Sequence, residues 1–253
     1  MIIFKSEPQL EIMREAATIV AETLKLIEDN IRVGVTTLEL NNIAEKYIRS
    51  KGAVPSFLGY KDFPASITTS INEVVVHGIP SAKQKLKEGD IVGIDIGAYI
   101  NGFHGDAART FAVGNVSKED SELMRITRES FFEGIKYAKV GYHLNHICSA
   151  IQKHVESNGY AVIKDLIGHG VGKDLHEDPN VPNYDMNRRG PKLQPGMVLA
   201  IEPMVAMGSD QITILEDGWT AVTEDRKKSA HYENTIIITN GEPEIITLKD
   251  YLP

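Results

Sequence analysis

The sequence predicts an α+β fold made of two duplicated halves, each a helix pair followed by strands, with a central antiparallel sheet and the helices on its outside. Three observations carry this. Apolar residues recur at spacings of three and four and then give way to short β-rich runs. The same order of elements then repeats. The two passes also coincide at a single offset of 107 residues, the signature of an internal duplication.

Ser6 is placed to cap a first helix, with Pro8 in its first turn and Gln9 positioned to close a capping box. Leu10, Met13, Ala17, Val20, Leu24 and Ile27 form its apolar face, and Gly34 breaks the pattern. Thr36 with Glu39 caps a second helix carrying Leu40, Ile43, Ala44, Tyr47 and Ile48, and Gly52 ends it. Short strand-like runs follow, the clearest being Ile91-Val92-Gly93-Ile94-Asp95-Ile96. Helical patterns return over 118–139 and 144–158, followed by strands to the end.

At the offset of 107, Val33-Gly34 falls on Val140-Gly141 and Gly52 on Gly159. Leu86, Gly89, Ile91, Val92, Gly93, Ile94 and Asp95 fall on Leu193, Gly196, Val198, Leu199, Ala200, Ile201 and Glu202. The chain therefore reads as one domain over 1–253, with pseudo-twofold halves of about 1–107 and 108–253. An acid ends each matched strand and should face its mate across the middle.

Composition narrows the function. A net charge of −8 argues against a general nucleic-acid or anionic-membrane surface, while leaving room for a cationic substrate end such as a peptide amino terminus. A single cysteine, Cys148, excludes an intrachain disulfide and any cysteine-clustered metal site. The N-terminus lacks a basic stretch followed by an apolar run, and no run of 18 apolar residues occurs, so the expectation is a soluble cytoplasmic protein.

Acids where strands should be apolar point to chemistry. Asp95 lies between Ile94 and Ile96, and Glu202 between Ile201 and Pro203. Charges buried there cost several kcal/mol unless paired or metal-bound; the alternative is that strand alternation turns each to solvent. Asp106 follows on what an adjacent strand would bring beside Asp95, His169 sits in Gly168-His169-Gly170-Val171-Gly172, and Glu233 opens a strand. If these five converge, four carboxylates cannot all stay ionised unaided. Two divalent cations would neutralise them, and the oxygen-rich set with one nitrogen suits manganese, iron, cobalt or zinc. Such a pair activates water and polarises a carbonyl, which makes the reaction class hydrolysis.

The chain resembles type I methionine aminopeptidases, pita-bread metallopeptidases, through essentially its whole length. The matching segments are Ser70-Ile71-Asn72-Glu73-Val74-Val75-Val76-His77-Gly78-Ile79-Pro80, Gly89 to Asp95, Gly102-Phe103-His104-Gly105-Asp106, Gly168 to Gly172 and Ile201-Glu202-Pro203-Met204. The short interval from Glu202 to Glu233 lacks room for the subdomain of type II enzymes. The resemblance implies the pita-bread fold and removal of an initiator methionine from nascent polypeptide N-termini, near the ribosome, with preference for a small second residue. It makes Asp95 a ligand of one metal, places His169 and Glu202 on the other, and has Asp106 and Glu233 bridge them. Glu202 would carry a proton from water to the departing amine, His77 would hydrogen-bond the scissile amide, and His176 would stabilise the oxyanion. The methionine slot would fall on Phe57, Tyr60, Phe63, Thr68, His77, Leu175, His176 and Trp219, with Met204 nearby. Many relatives carry cysteine at Phe57 and Thr68 and an aromatic at Leu175, so this slot should differ in shape. Asn72, Val74 and Ser229 match a monovalent-cation site. A monomer is expected.

His104, His143, His146, His154 and His231 read as ordinary surface or core residues, with His231 set apart from the others by lying beside Glu233. Two alternatives remain at this point. One is a sister Xaa-Pro peptidase, which usually carries an extra N-terminal domain; the other is a non-catalytic binding module, which should lack one or more of the five ligands.

Overall fold

The structure, a computed structural model, describes residues 1–248. Helices α1 (Glu7–Glu28) and α2 (Thr37–Ser50) come first. They are followed by β1 (Val54–Pro55), a 3-10 turn (Tyr60–Asp62), β2 (Ile67–Ile71), β3 (Val74–Val76), β4 (Ile91–Ile100) and β5 (Phe103–Ala112). The second pass begins with α3 (Lys118–Ile135), α4 (Leu144–Ser157), β6 (Ala161–Val162), β7 (Gly168–Gly170) and β8 (Glu177–Val181). It ends with β9 (Val198–Ile201), β10 (Met204–Ala206), β11 (Ile212–Ile214), β12 (Ala221–Thr223), β13 (Ser229–His231), β14 (Asn234–Ile237) and β15 (Glu244–Ile245).

The capping signals act as read. The Ser6/Gln9 and Thr36/Glu39 capping boxes both form, each satisfying backbone donors that an α-helix start leaves unpaired. The third helix stops at Ile135 instead of continuing to 139. Its last turn tightens, with the Tyr137 amide donating to the Gly134 carbonyl, and at Gly134 a Cβ would lie 2.7 Å from Ile151.

The offset of 107 runs through the backbone itself. It maps α2 onto α4 end for end, β1 onto β6, and the last residue of α1 onto the last of α3. The isolated bridge Thr36 to Lys85 maps onto His143 to Lys192. Gly34, Gly52 and Gly89 map onto Gly141, Gly159 and Gly196, and all six have positive φ, a region that only glycine enters without steric cost.

Every strand pairing is antiparallel. Among the described residues the expected central sheet is divided into four hydrogen-bonded groups, two of which carry the acids: β1-β4-β2 with β5 on β4, and β15-β14-β9-β7-β8. The break has a local cause. The ladder stops at Glu202-Pro203 on one side and Tyr232-Glu233 on the other, where proline has no N–H to give. Glu233 therefore precedes β14 instead of opening it, and Asp95 sits inside β4 instead of at its end.

Helices α1 and α2 bury Leu24, Ile27, Leu40, Ala44 and Ile48 against Ile67, Val92, Ile94 and Ile96. Each large side chain there contributes roughly 1.5–3 kcal/mol of apolar burial. Phe131, Ile147 and Ile151 do the same for Leu199, Ile201 and Ile236. Gly105 lets α1 rest on β5, since a Cβ there would lie 2.7 Å from the Ala17 amide. A larger residue would displace the strand that carries Asp106.

Candidate metal centre and slot

Register converts the scattered acids into a cluster. In the β4–β5 ladder Asp95 faces Ala108 and Gly97 faces Asp106, so the two aspartates are diagonal neighbours on one face. Thr68 lies directly across from Asp95 on β2. On the other group, His169 pairs with Ala200, two residues before Glu202 and on the same face. The halves are fastened at this point. Thr235 Oγ1 donates to the Asp106 carbonyl at 2.7 Å, and the Glu233 amide donates to the Ala108 carbonyl at 2.9 Å.

The result brings together all five residues expected to bind metal. His169 Nε2 lies 3.5 Å from Glu202 Oε1 and 3.9 Å from Asp106 Oδ2. Asp106, His169 and Glu233 present donor atoms within 4.8 Å of one another, and so do Glu202, His231 and Glu233. Asp95 Oδ1, Asp106 Oδ1 and Glu233 Oε1 are buried without a hydrogen-bond partner among the described residues. Orphaned buried carboxylate oxygens are costly unless a cation completes them, so the residues fit divalent metal.

The electrostatics agree. Burial pushes the Asp95 carboxyl up to about 7, against the hydrogen bonds from Asp106 and the Ile96 amide. Burial and the charges of Asp95 and Glu202 raise Asp106 well above the usual carboxylate range. Glu202 is raised by burial and Asp95, and Glu233 by burial and the charges of Asp106, Glu202 and Asp95, with Arg109 opposing. His169 is lowered to about 4 by burial and stays neutral, with Nδ1 2.9 Å from the Gly170 carbonyl. That contact leaves the Nε2 lone pair facing the cluster, the arrangement of a metal-binding imidazole.

A cavity of about 310 Å³ opens above the cluster, lined by every residue expected for the slot. Phe57, Phe63 and Leu175 are buried together, with Tyr60 and Trp219 packed against them. Trp219 meets Phe63 edge-on at 5.1 Å and His77 at 5.9 Å, while Tyr60 stacks on His176 at 5.2 Å. His77 has φ +59°, an uncommon conformation that is worth its cost where the fold fixes it. Gly78 beside it has no room for a side chain, because a Cβ would lie 2.1 Å from the Thr69 carbonyl oxygen. Gly97 similarly admits Phe57, at 2.8 Å from where a Cβ would stand. Asn72, Val74 and Ser229 also meet, with the Ser229 amide donating to the Asn72 carbonyl at 2.9 Å and its hydroxyl to the Val74 carbonyl at 3.3 Å.

Three residues at the site escaped the sequence reading. His231, read as ordinary, is buried with Nε2 3.7 Å from Glu202 Oε2 and 3.9 Å from Glu233 Oε2. The signal was its two-residue spacing from Glu233. Arg109 is buried behind the cluster, stacked 4.3 Å over Tyr232 and donating to the Glu233 carbonyl. Glu177, next to His176, receives Lys5 Nζ at 2.6 Å with both side chains almost fully buried. It also accepts the Lys173 amide at 2.8 Å, bracing the loop that carries Leu175 and His176. Removing one partner of a buried pair strands the other charge. Lys5→Met is therefore expected to cost about 3 kcal/mol in urea denaturation and to speed amide exchange at Lys173 and Asp174. Unchanged exchange there would mean that Lys5 does not brace the loop.

Residues 11–240 match the Metallopeptidase family M24. The chain is 55% identical over 248 residues to a methionine aminopeptidase of Clostridium perfringens (strain 13 / Type A), spanning 98% of this chain and 99% of that one. It is 51% identical over 247 residues to methionine aminopeptidase 1 of Bacillus subtilis (strain 168), again spanning 98% and 99%. The crystal structure of methionine aminopeptidase from Rickettsia prowazekii superposes with a TM-score of 0.96 at 40% identity, covering 98% of this chain and all of that one. Divalent metal use follows from the family and from the donor cluster. Among the described residues no helix is long and apolar enough to cross a membrane. The match to these enzymes runs along the full length of the chain, which carries a buried four-carboxylate cluster beneath an apolar slot, and the chain belongs to the type I methionine aminopeptidases of the M24 metallopeptidase family.

Proposed function

We propose that this chain removes the N-terminal methionine from peptides and nascent proteins, favouring a small second residue, by hydrolysis assisted by two divalent ions. The observation that carries the reading is the juxtaposition of the acidic cluster with an apolar slot closed by Phe57, Phe63, Leu175 and Trp219. An unbranched thioether fits such a slot, and its sulfur gains from aromatic edges. Asp95, Asp106, His169, Glu202 and Glu233 would hold the ions, manganese, iron, cobalt or zinc by the hardness of the donors. When bound, the ions supply an acidified water and a Lewis acid for the scissile carbonyl.

The chain's own residues do the rest. Glu202, with its side chain 13% exposed towards the cavity, takes a proton from the attacking water and returns it to the departing amine. His77 and His176, both kept neutral by burial, donate N–H groups to the scissile amide and to the oxyanion. The chain acts as one catalytic domain over 1–253, as a monomer in the cytoplasm, on nascent chains near the ribosome and without binding nucleic acid or membrane. A monovalent cation at Asn72, Val74 and Ser229 would stiffen the junction between β3 and β13.

Metal-loaded protein should cleave Met-Gly-Met peptides and leave Gly-Pro peptides intact. Cleavage of the Gly-Pro peptide alone would reassign the chain as an Xaa-Pro peptidase, and cleavage of neither would point to a binding module. His77→Ala should lower kcat by roughly 10²-fold, as loss of one aimed donor does, with metal content unchanged. Loss of metal in that variant would show that His77 belongs to the metal centre instead.

A further inference from the structure

The proposed reaction gives His231 no work, yet its imidazole stands on the acidic cluster. Its Nε2 is buried without a hydrogen-bond partner among the described residues, 3.7 Å from Glu202 Oε2 and 3.9 Å from Glu233 Oε2. The other Glu202 oxygen lies 3.5 Å from His169 Nε2, so this carboxylate is flanked by an imidazole on each side. The two imidazoles differ in one respect. His169 Nδ1 has the Gly170 carbonyl at 2.9 Å, whereas the buried nitrogen of His231 left without a partner among the described residues is Nε2, the one that faces the two glutamates. A neutral imidazole carries a single N–H. For His169 the acceptor on the Nδ1 side leaves Nε2 as a lone pair for metal; for His231 the carboxylates stand on the Nε2 side.

We propose that His231 is a positioning residue for Glu202, its Nε2–H donating to Glu202 Oε2 and fixing the orientation from which that carboxylate moves protons. This rests on Glu202 being the proton carrier. Glu202 is the partner that needs holding, because its side chain is 13% exposed to the cavity while that of Glu233 is 2% exposed. The gap of 3.7 Å exceeds the upper limit of an N–H···O hydrogen bond by about half an ångström, a distance that a rotation of the glutamate side chain closes. His231 itself is held fast. Its amide donates to Thr110 Oγ1 at 2.9 Å, the same hydroxyl donates to its carbonyl at 2.9 Å, and it pairs with Met204 across β10–β13.

Long-range nitrogen–proton NMR on the zinc-loaded wild-type protein, in which Glu202 is ionised, should find His231 protonated at Nε2; protonation at Nδ1 overturns the proposal. His231→Leu should lower kcat by roughly 10- to 100-fold, the usual cost of losing an outer partner, with KM and metal stoichiometry at wild-type values. His231→Gln restores an N–H donor and should recover most of the lost kcat. Unchanged kcat in His231→Leu overturns the proposal, as does loss of a metal equivalent, which would make His231 a ligand. Failure of a folded His231→Gln to recover overturns it too. Should His231→Leu not fold, the tautomer and the glutamine variant decide. The tautomer and metal readouts need no substrate, so inactivity of the wild-type protein on Met-Gly-Met would count against the proposed function and leave the His231 assignment to these measurements.

Discussion

Asp106→Asn is expected to lose peptidase turnover by on the order of 10³-fold or more, to lose at least one metal equivalent, and to raise the Tm of the metal-free protein. The first two effects follow from placement. Asp106 lies in the middle of the cluster, diagonal to Asp95, 3.9 Å from His169 Nε2 and within donor range of Glu233. A neutral amide oxygen of the same shape supplies no negative charge to a divalent cation, and the loss should exceed the roughly 10–100-fold that an outer partner costs. The third effect has the opposite sign to most core substitutions. Asp106 is raised by burial and by the charges of Asp95 and Glu202, so its ionised form destabilises the metal-free fold at neutral pH. Asparagine imitates the protonated form. The Tm advantage should therefore be present at pH 7–8 and vanish below the ordinary carboxylate range near pH 4, where wild-type Asp106 is protonated too. Metal analysis, turnover and melts in chelator across that range test all three. Wild-type metal content with full turnover would sink the proposed ligand role of Asp106, and a lower metal-free Tm at pH 8 would sink the electrostatic account.

The helices and the duplication were legible because their signals are local. Ser6 with Gln9 and Thr36 with Glu39 lie within one turn, and the glycines of the 107 offset mark positive φ in both halves. Asp95 and Glu202 were legible as charges inside β-branched runs. The slot was not readable from pattern, because Phe57, Thr68, Leu175 and Trp219 come from distant segments and meet only after folding; the resemblance alone supplied them. Lys5 and Glu177, 172 residues apart, carry no local mark of being paired. The start of the strand at Glu233 differs from the sequence expectation for a physical reason: Tyr232-Glu233 continues a β-rich pattern, and the break arises from Pro203 on the facing segment. His231 stood out among the remaining histidines only by lying beside Glu233, and its place against Glu202 arises from the pairing of β10 with β13.

Divalent metal should bind with proton release at neutral pH, and its affinity should rise by about tenfold per pH unit for each proton displaced. Asp95 is pushed up to about 7, and Asp106, Glu202 and Glu233 are raised well above their ordinary values, chiefly by burial and then by one another's charges. For each of these, folded-state pKa exceeds unfolded pKa. Their stabilising contribution to the metal-free fold is complete below the unfolded values near pH 4 and is lost as pH rises through the folded ones. The imidazoles run the other way. His169 and His231, lowered by burial to about 4 and about 3, contribute stability above the unfolded value near 6.5 that is lost as pH falls through the folded values. The metal-free protein is thus pressed from both sides, and the bound cations relieve only the alkaline one, by taking the place of the protons on the carboxylates. The metal-induced rise in Tm should accordingly grow from pH 6 to pH 8. Calorimetric titration with Mn²⁺ in two buffers of different ionisation enthalpy counts the protons directly. Equal heats in both buffers at pH 7 would mean that the carboxylates are already ionised in the metal-free protein, and would remove repulsion among them as the reason this site takes cations.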